Sequence, residues 1–125
     1  MDVNIIYKED AYSIVGRCME VHRILGKGFS EIVYKEALQL EFNEHNILFE
    51  REKEFDIMYK DHVLPRKYFA DFVVYNKIIL EVKAIEALTD SHIKQTLNYL
   101  AASKCKLGLL VNFGEDSLKY KRIVL

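Results

Sequence analysis

The chain has 125 residues, with 18 Lys and Arg against 19 Asp and Glu, a net charge of −1 and half of its residues hydrophobic. These values suit one compact globular domain, 1–125, and exclude a protein that coats nucleic acid through bulk positive charge. No apolar run approaches the ~20 residues that a membrane span needs, and Met1-Asp2-Val3-Asn4 lacks the basic start of a secretory leader; the expected location is the cytoplasm.

Residues 10–25 carry Ile14, Val15, Cys18, Met19, Val21 and Leu25 at helical spacing, and Gly26-Lys27-Gly28 ends that helix. Ser30 reads as the N-cap of a second helix running to about His45, with Glu31 in its first turn, where the helix dipole favours a negative charge. Its expected apolar side is Ile32, Val33, Ala37, Leu38, Leu40 and Phe42. Phe49–Tyr59 alternates as a strand, Lys60-Asp61-His62 is a turn, and Pro65, the one proline, is assigned to a turn as well. Phe69–Tyr75 and Ile78–Lys83 are more continuously apolar strands, expected to be covered on both faces. Thr89 caps a third helix, Asp90 to Ser103; 106–112 is a buried strand and 118–124 an edge strand. The expected fold class is α/β, an α+β mixed sheet flanked by helices.

Cys18 and Cys105 stand in apolar surroundings, as small core residues do, and two thiols are too few for an iron–sulfur cluster. The four histidines show no ligand spacing with each other or with the cysteines.

Three charges interrupt the two apolar strands: Asp71, Glu81 and Lys83. Glu81 and Lys83 share a strand face. Whether Asp71 joins them depends on the connection. A two-residue turn at Asn76-Lys77 pairs Asp71 with Val82; a three-residue loop, Tyr75-Asn76-Lys77, pairs it with Glu81. A shared site requires the three-residue loop or a bulge. Two carboxylates can fix a hard cation such as Mg²⁺ while leaving it several waters, and a lysine beside them can orient a water or neutralise charge on a phosphate. The competing explanation is an ion pair between Lys83 and a carboxylate. On the third helix, His92, Gln95 and Tyr99 form one polar stripe that could meet a substrate phosphate. Glu31 and Tyr34 lie three residues apart at the start of the second helix, with Glu31 a candidate for the metal or one of its waters and Tyr34 for substrate contact.

Gly28-Phe29-Ser30-Glu31-Ile32-Val33-Tyr34 resembles the signature of the GxxExxY protein family. The segments 68–71, 81–84, 95–99 and 108–114 resemble that family in its order, so the resemblance runs from about residue 10 to the end. The family is similar in turn to the PD-(D/E)XK nuclease superfamily, and the Gln-x-x-x-Tyr helix to its RecB-like branch. The resemblance implies a restriction-endonuclease-like core and Mg²⁺-dependent phosphodiester cleavage, with Mn²⁺ able to substitute and DNA the expected substrate. It implies metal ligation by Asp71, Glu81 and the Val82 backbone carbonyl, and Lys83 as the catalytic lysine. It also implies Glu31 as the acid of the first core helix, with Gln95 and Tyr99 as an accessory pair. Ala70 stands where the superfamily has proline, and Phe69 where relatives carry arginine. A chain this short leaves no room for a separate recognition domain, so specific cleavage would call for a homodimer or a partner protein. The alternatives are an inactive nuclease-fold module that binds nucleic acid or a protein, and a phosphohydrolase acting on a small nucleotide.

Overall fold

A computed structural model describes residues 5–125; the reading of residues 1–4 as lacking a secretory leader lies outside them. The elements in chain order are α1 (Lys8–Leu25), α2 (Glu31–Glu44), β1 (Phe49–Tyr59), β2 (His62–Val74), β3 (Ile78–Lys83), α3 (Asp90–Ser103), β4 (Leu107–Asn112) and β5 (Lys119–Val124). The strands form one sheet in the order β1-β2-β3-β4-β5. All neighbours are antiparallel except β3 and β4, which run parallel with α3 as their crossover. No helix is long and apolar enough to cross a membrane.

Sheet alternation sends residues of β3 to two cores. Ile78, Leu80 and Val82 pack with α1 and α2, while Ile79 packs on the α3 side with Leu100 and Leu110. Helices therefore cover both faces, which is why β3 and β4 read as continuous apolar runs. Cys18 is fully buried in the α1 layer, where burial pushes its thiol up to about 12.

Three expectations need correction. Helix α2 buries Tyr34, Leu38 and Phe42, one residue per turn, whereas Ile32 and Leu40 are exposed. Tyr34 belongs to the core because its hydroxyl has two backbone partners: it donates to the Gly26 carbonyl (2.6 Å) and accepts from the Phe29 N–H (3.2 Å), while its ring stacks on Phe113. Second, strand β2 begins at His62, so Pro65 lies within a strand. The register shifts there, from Asp56↔Lys67 to Met58↔Val63, and a proline without an N–H fits such an irregularity. Third, β2 starts before the expected Phe69, and with β1 it forms a hairpin that extends well past β3, which pairs only with Phe72, Val73 and Val74.

The hairpin also exchanges faces midway. Phe72 and Val74 face α1 and α2, but Tyr68 and Ala70, also even-numbered, belong to the α3 side. Phe49 and Phe55 divide in the same way on β1. The exchange occurs at Asp71 and, across from it, at Glu52, whose φ of 54° is left-handed inside a strand.

Close packing at the end of β4 gives a stability test. A Cβ on Gly114 would lie 2.2 Å from the Ile85 carbonyl oxygen, whereas one on Gly16 in α1 meets nothing within 4 Å. In urea unfolding, Gly114→Ala is expected to lose about 1–3 kcal/mol or more, and Gly16→Ala to gain about 0.4–1 kcal/mol.

Candidate metal centre

The β2–β3 ladder ends at Phe72↔Leu80. Val74 pairs with Ile78, so Tyr75-Asn76-Lys77 form the three-residue connection, with Tyr75 and Asn76 both at left-handed φ. Continued one step, that register sets Asp71 opposite Glu81. Here side chains replace the backbone ladder: the Asp71 N–H donates to Glu81 Oε2 (3.1 Å), and the Val82 N–H donates to Asp71 Oδ2 (2.8 Å). Each carboxylate thus holds the opposite strand, and the two are drawn together by the bonds that close the sheet.

Glu81 is only 5% exposed. Its Oε2 also accepts a hydrogen bond from the Tyr68 hydroxyl (2.9 Å), whereas Oε1 receives none from the described residues. Burial first, and then the charge of Asp71, push its carboxyl up to about 7; the bonds from Asp71 and Tyr68 and the charge of Lys83 oppose this. Tyr68 stacks on Tyr99 of α3 with centroids 3.9 Å apart. Burial and the charges of Glu81 and Asp71 raise Tyr99's hydroxyl pKa, which sets α3 against the carboxylate pair.

Lys83 follows Glu81 on the same face of β3, and no ion pair of Lys83 occurs among the described residues. The lysine that pairs with the site is Lys35 of α2, with Nζ 2.7 Å from Asp71 Oδ1. Glu31 precedes Lys35 by one helical turn and its charge reaches that ammonium. The exit of β3 is fixed by the fully buried Asn112, which is in register with Lys83. Its Oδ1 accepts the Ile85 N–H (3.0 Å) and its Nδ2 donates to the Ile85 carbonyl (2.9 Å), while the Phe113 N–H donates to the Lys83 carbonyl (2.8 Å).

The other candidates divide. Gln95 lies one turn before Tyr99 but is exposed, with no side-chain hydrogen bond among the described residues. His92 caps α3, its Nδ1 accepting the Thr89 N–H at 3.0 Å. Tyr34 has no exposed surface and its hydroxyl is committed to the α1–α2 turn, so a substrate contact by this residue is excluded. Two partners went unread in the sequence. Tyr68 had a signal, since it lies three residues before Asp71 and its hydroxyl needs a partner when buried. Lys35 had none beyond its place one turn after Glu31.

No group of three or more His, Cys, Asp or Glu side chains that could hold a metal occurs among the described residues. The two carboxylates nevertheless suit a divalent cation. A buried acid and a part-buried one whose charges oppose each other gain from a positive ion between them, and Glu81 Oε1 is available as a ligand. A Mg²⁺ ion needs only one or two protein carboxylates and keeps its waters.

The raised Glu81 pKa sets a pH dependence for the metal-free protein. Between about 4.5 and 7 the folded state holds a proton that the unfolded state has released, so stability falls as pH rises through that window. Urea unfolding should show this loss, and Glu81→Gln should flatten it. Tyr68→Phe removes a bond to the charged form, so the Glu81 pKa should rise further in a carboxyl NMR titration. At pH 8 the same variant should lose about 1.5–3 kcal/mol of stability.

Comparison with family models matches residues 8–123 to the PD-(D/E)XK nuclease superfamily. No curated protein and no solved structure matches the chain. The matched span reaches into every element of the sheet and its helices, and the mixed five-stranded sheet between helices agrees with a restriction-endonuclease-like core. Nucleases of this superfamily generally use divalent metals. With the acidic pair at the split of β2 and β3 and the match across nearly its whole length, the chain belongs to the PD-(D/E)XK nuclease superfamily.

Proposed function

We propose that this protein is a metal-dependent nuclease that hydrolyses phosphodiester bonds in DNA, with Asp71 and Glu81 holding Mg²⁺ and Lys83 assisting the attacking water. The observation that carries this reading is the pair of carboxylates joined across the end of the β2–β3 ladder, with a ligand oxygen of Glu81 that receives no hydrogen bond from the described residues. The Val82 carbonyl is the third protein ligand in this reading. Its N–H faces Asp71, and in antiparallel geometry a residue's N–H and C=O face the same neighbour.

A bound divalent ion supplies Lewis-acid activation of the phosphate and of water. Asp71 and Glu81 hold their oxygens in place through the backbone bonds that also close the sheet, so little reorganisation is needed when substrate arrives. Lys83 forms no ion pair among the described residues, leaving its ammonium to orient water or to balance charge developing on the phosphate. Tyr99 steadies Tyr68 and through it Glu81, while Gln95, exposed one turn earlier, is placed to meet the substrate backbone. Glu31 acts from α2 on the Lys35–Asp71 side. Mn²⁺ can replace Mg²⁺ in such an oxygen site. Within the superfamily we assign the chain to the GxxExxY family and the RecB-like branch, and its location to the cytoplasm. A homodimer or a partner protein supplies the DNA contacts that a near-neutral chain of this size lacks.

A second reading, an inactive module, is favoured by one observation: Lys35 already neutralises Asp71. Labelled single- and double-stranded oligonucleotides incubated with Mg²⁺ separate the two. The nuclease reading expects cleavage that stops on chelation and drops about 10²-fold or more in Lys83→Ala and Glu81→Ala. Binding without cleavage supports the module, and cleavage that survives Lys83→Ala contradicts the assigned site.

A further inference from the structure

Lys35 is placed between two carboxylates of different character. Its Nζ is 2.7 Å from Asp71 Oδ1 and 3.5 Å from Glu52 Oε1. The Lys35 and Asp71 side chains are each only 13% exposed, whereas that of Glu52 is 49% exposed. The short bond is therefore the sheltered one, and the second acceptor is at the rim. Glu52 reaches this place from a left-handed backbone, φ 54°, directly across β1–β2 from Asp71. Such a conformation costs a non-glycine residue energy and persists where surrounding structure enforces it, often at functional sites. Burial pulls the ammonium of Lys35 down, yet its bond to Asp71 and the charges of Asp71, Glu52 and Glu31 outweigh that and keep it charged.

We propose that Lys35 is an exchangeable counter-ion: it holds Asp71 in the metal-free protein, and its ammonium moves to Glu52 when a divalent cation binds Asp71 and Glu81. The inference rests on the metal reading above and adds to it a residue that sets metal affinity. An ammonium at 2.7 Å competes for the carboxylate charge that the cation needs, and the two positive charges repel if both stay. Moving Lys35 outward to a carboxylate already within 4 Å relieves both effects without burying an unpaired charge. Lys35 is thus a positioning residue: it keeps the acidic pair from repelling itself apart when no cation is bound and lowers metal affinity to a reversible level. A plain fastener between α2 and β2 would leave metal affinity unchanged or weaken it when removed.

Calorimetric titration of the purified full chain with Mn²⁺ alone, without nucleic acid, tests this. Lys35→Met should bind Mn²⁺ about 10-fold or more tightly than the wild type. Glu52→Gln, which removes the outer seat, should bind more weakly. Lys35→Arg, whose planar fork grips Asp71 with two bonds, should also bind more weakly, and it serves if the Met variant does not fold. Mn²⁺ bound by Lys35→Met but not by the wild type would be the strongest support. If the wild type binds, Glu81→Ala does not, and Lys35→Met is unchanged or weaker, the exchange is overturned while the metal centre stands. If neither the wild type nor Lys35→Met binds Mn²⁺, the metal centre falls, and the exchange with it.

Discussion

The structure turns on the place where β2 and β3 stop pairing through their backbones. Beyond Phe72↔Leu80, two N–H groups would be left without partners, and buried donors of that kind cost about 1–3 kcal/mol each. The carboxylates of Asp71 and Glu81 take those donors instead. The same atoms that complete the sheet thereby bring two carboxylates together, Glu81 buried and Asp71 part-buried. Folding and function are in opposition here, because the bonds that close the sheet also create the repulsion that raises the Glu81 pKa.

The surrounding architecture answers that opposition from three sides. From α3, Tyr99 stacks on Tyr68, and Tyr68 gives Glu81 a second hydrogen bond. From α2, Lys35 balances Asp71. Along β3, Lys83 adds a positive charge on the face of Glu81. The face exchange at Asp71 and Glu52 serves the same end. It lets Tyr68 reach the α3 side while Phe72 stays in the α1–α2 core. The β1–β2 hairpin beyond it is free to extend past the sheet, and its exposed Met58, Tyr59 and Val63 lie far along the chain from the carboxylates.

Much of this was legible in the sequence. Continuous apolar runs marked the doubly covered strands, and glycines and caps marked the helices, because burial and backbone geometry act locally. The three-residue connection could be inferred only by asking what a shared site needs; the alternative turn was equally allowed by composition. Long-range partnerships were not legible. Lys35 meets Asp71 across 36 positions, and nothing in a helical lysine says which strand it faces. Tyr34 misled because a tyrosine beside a candidate acid looks functional, yet its hydroxyl was needed by the turn at Gly26 and Phe29. Pro65 misled because a register shift that tolerates proline leaves no mark in the residues around it. Family membership rests on the match over residues 8–123, and the metal, the substrate and the role of each residue are readings of the site built upon it.

The most direct test of the central claim is an anomalous difference map from a crystal soaked in Mn²⁺. The account predicts one strong peak within ligand distance of Glu81 Oε1 and of an Asp71 oxygen, with Lys35 moved away from Asp71. An occupied metal site elsewhere, for instance at Glu115 and Asp116 of the β4–β5 loop, with the Asp71–Glu81 gap empty, would contradict it.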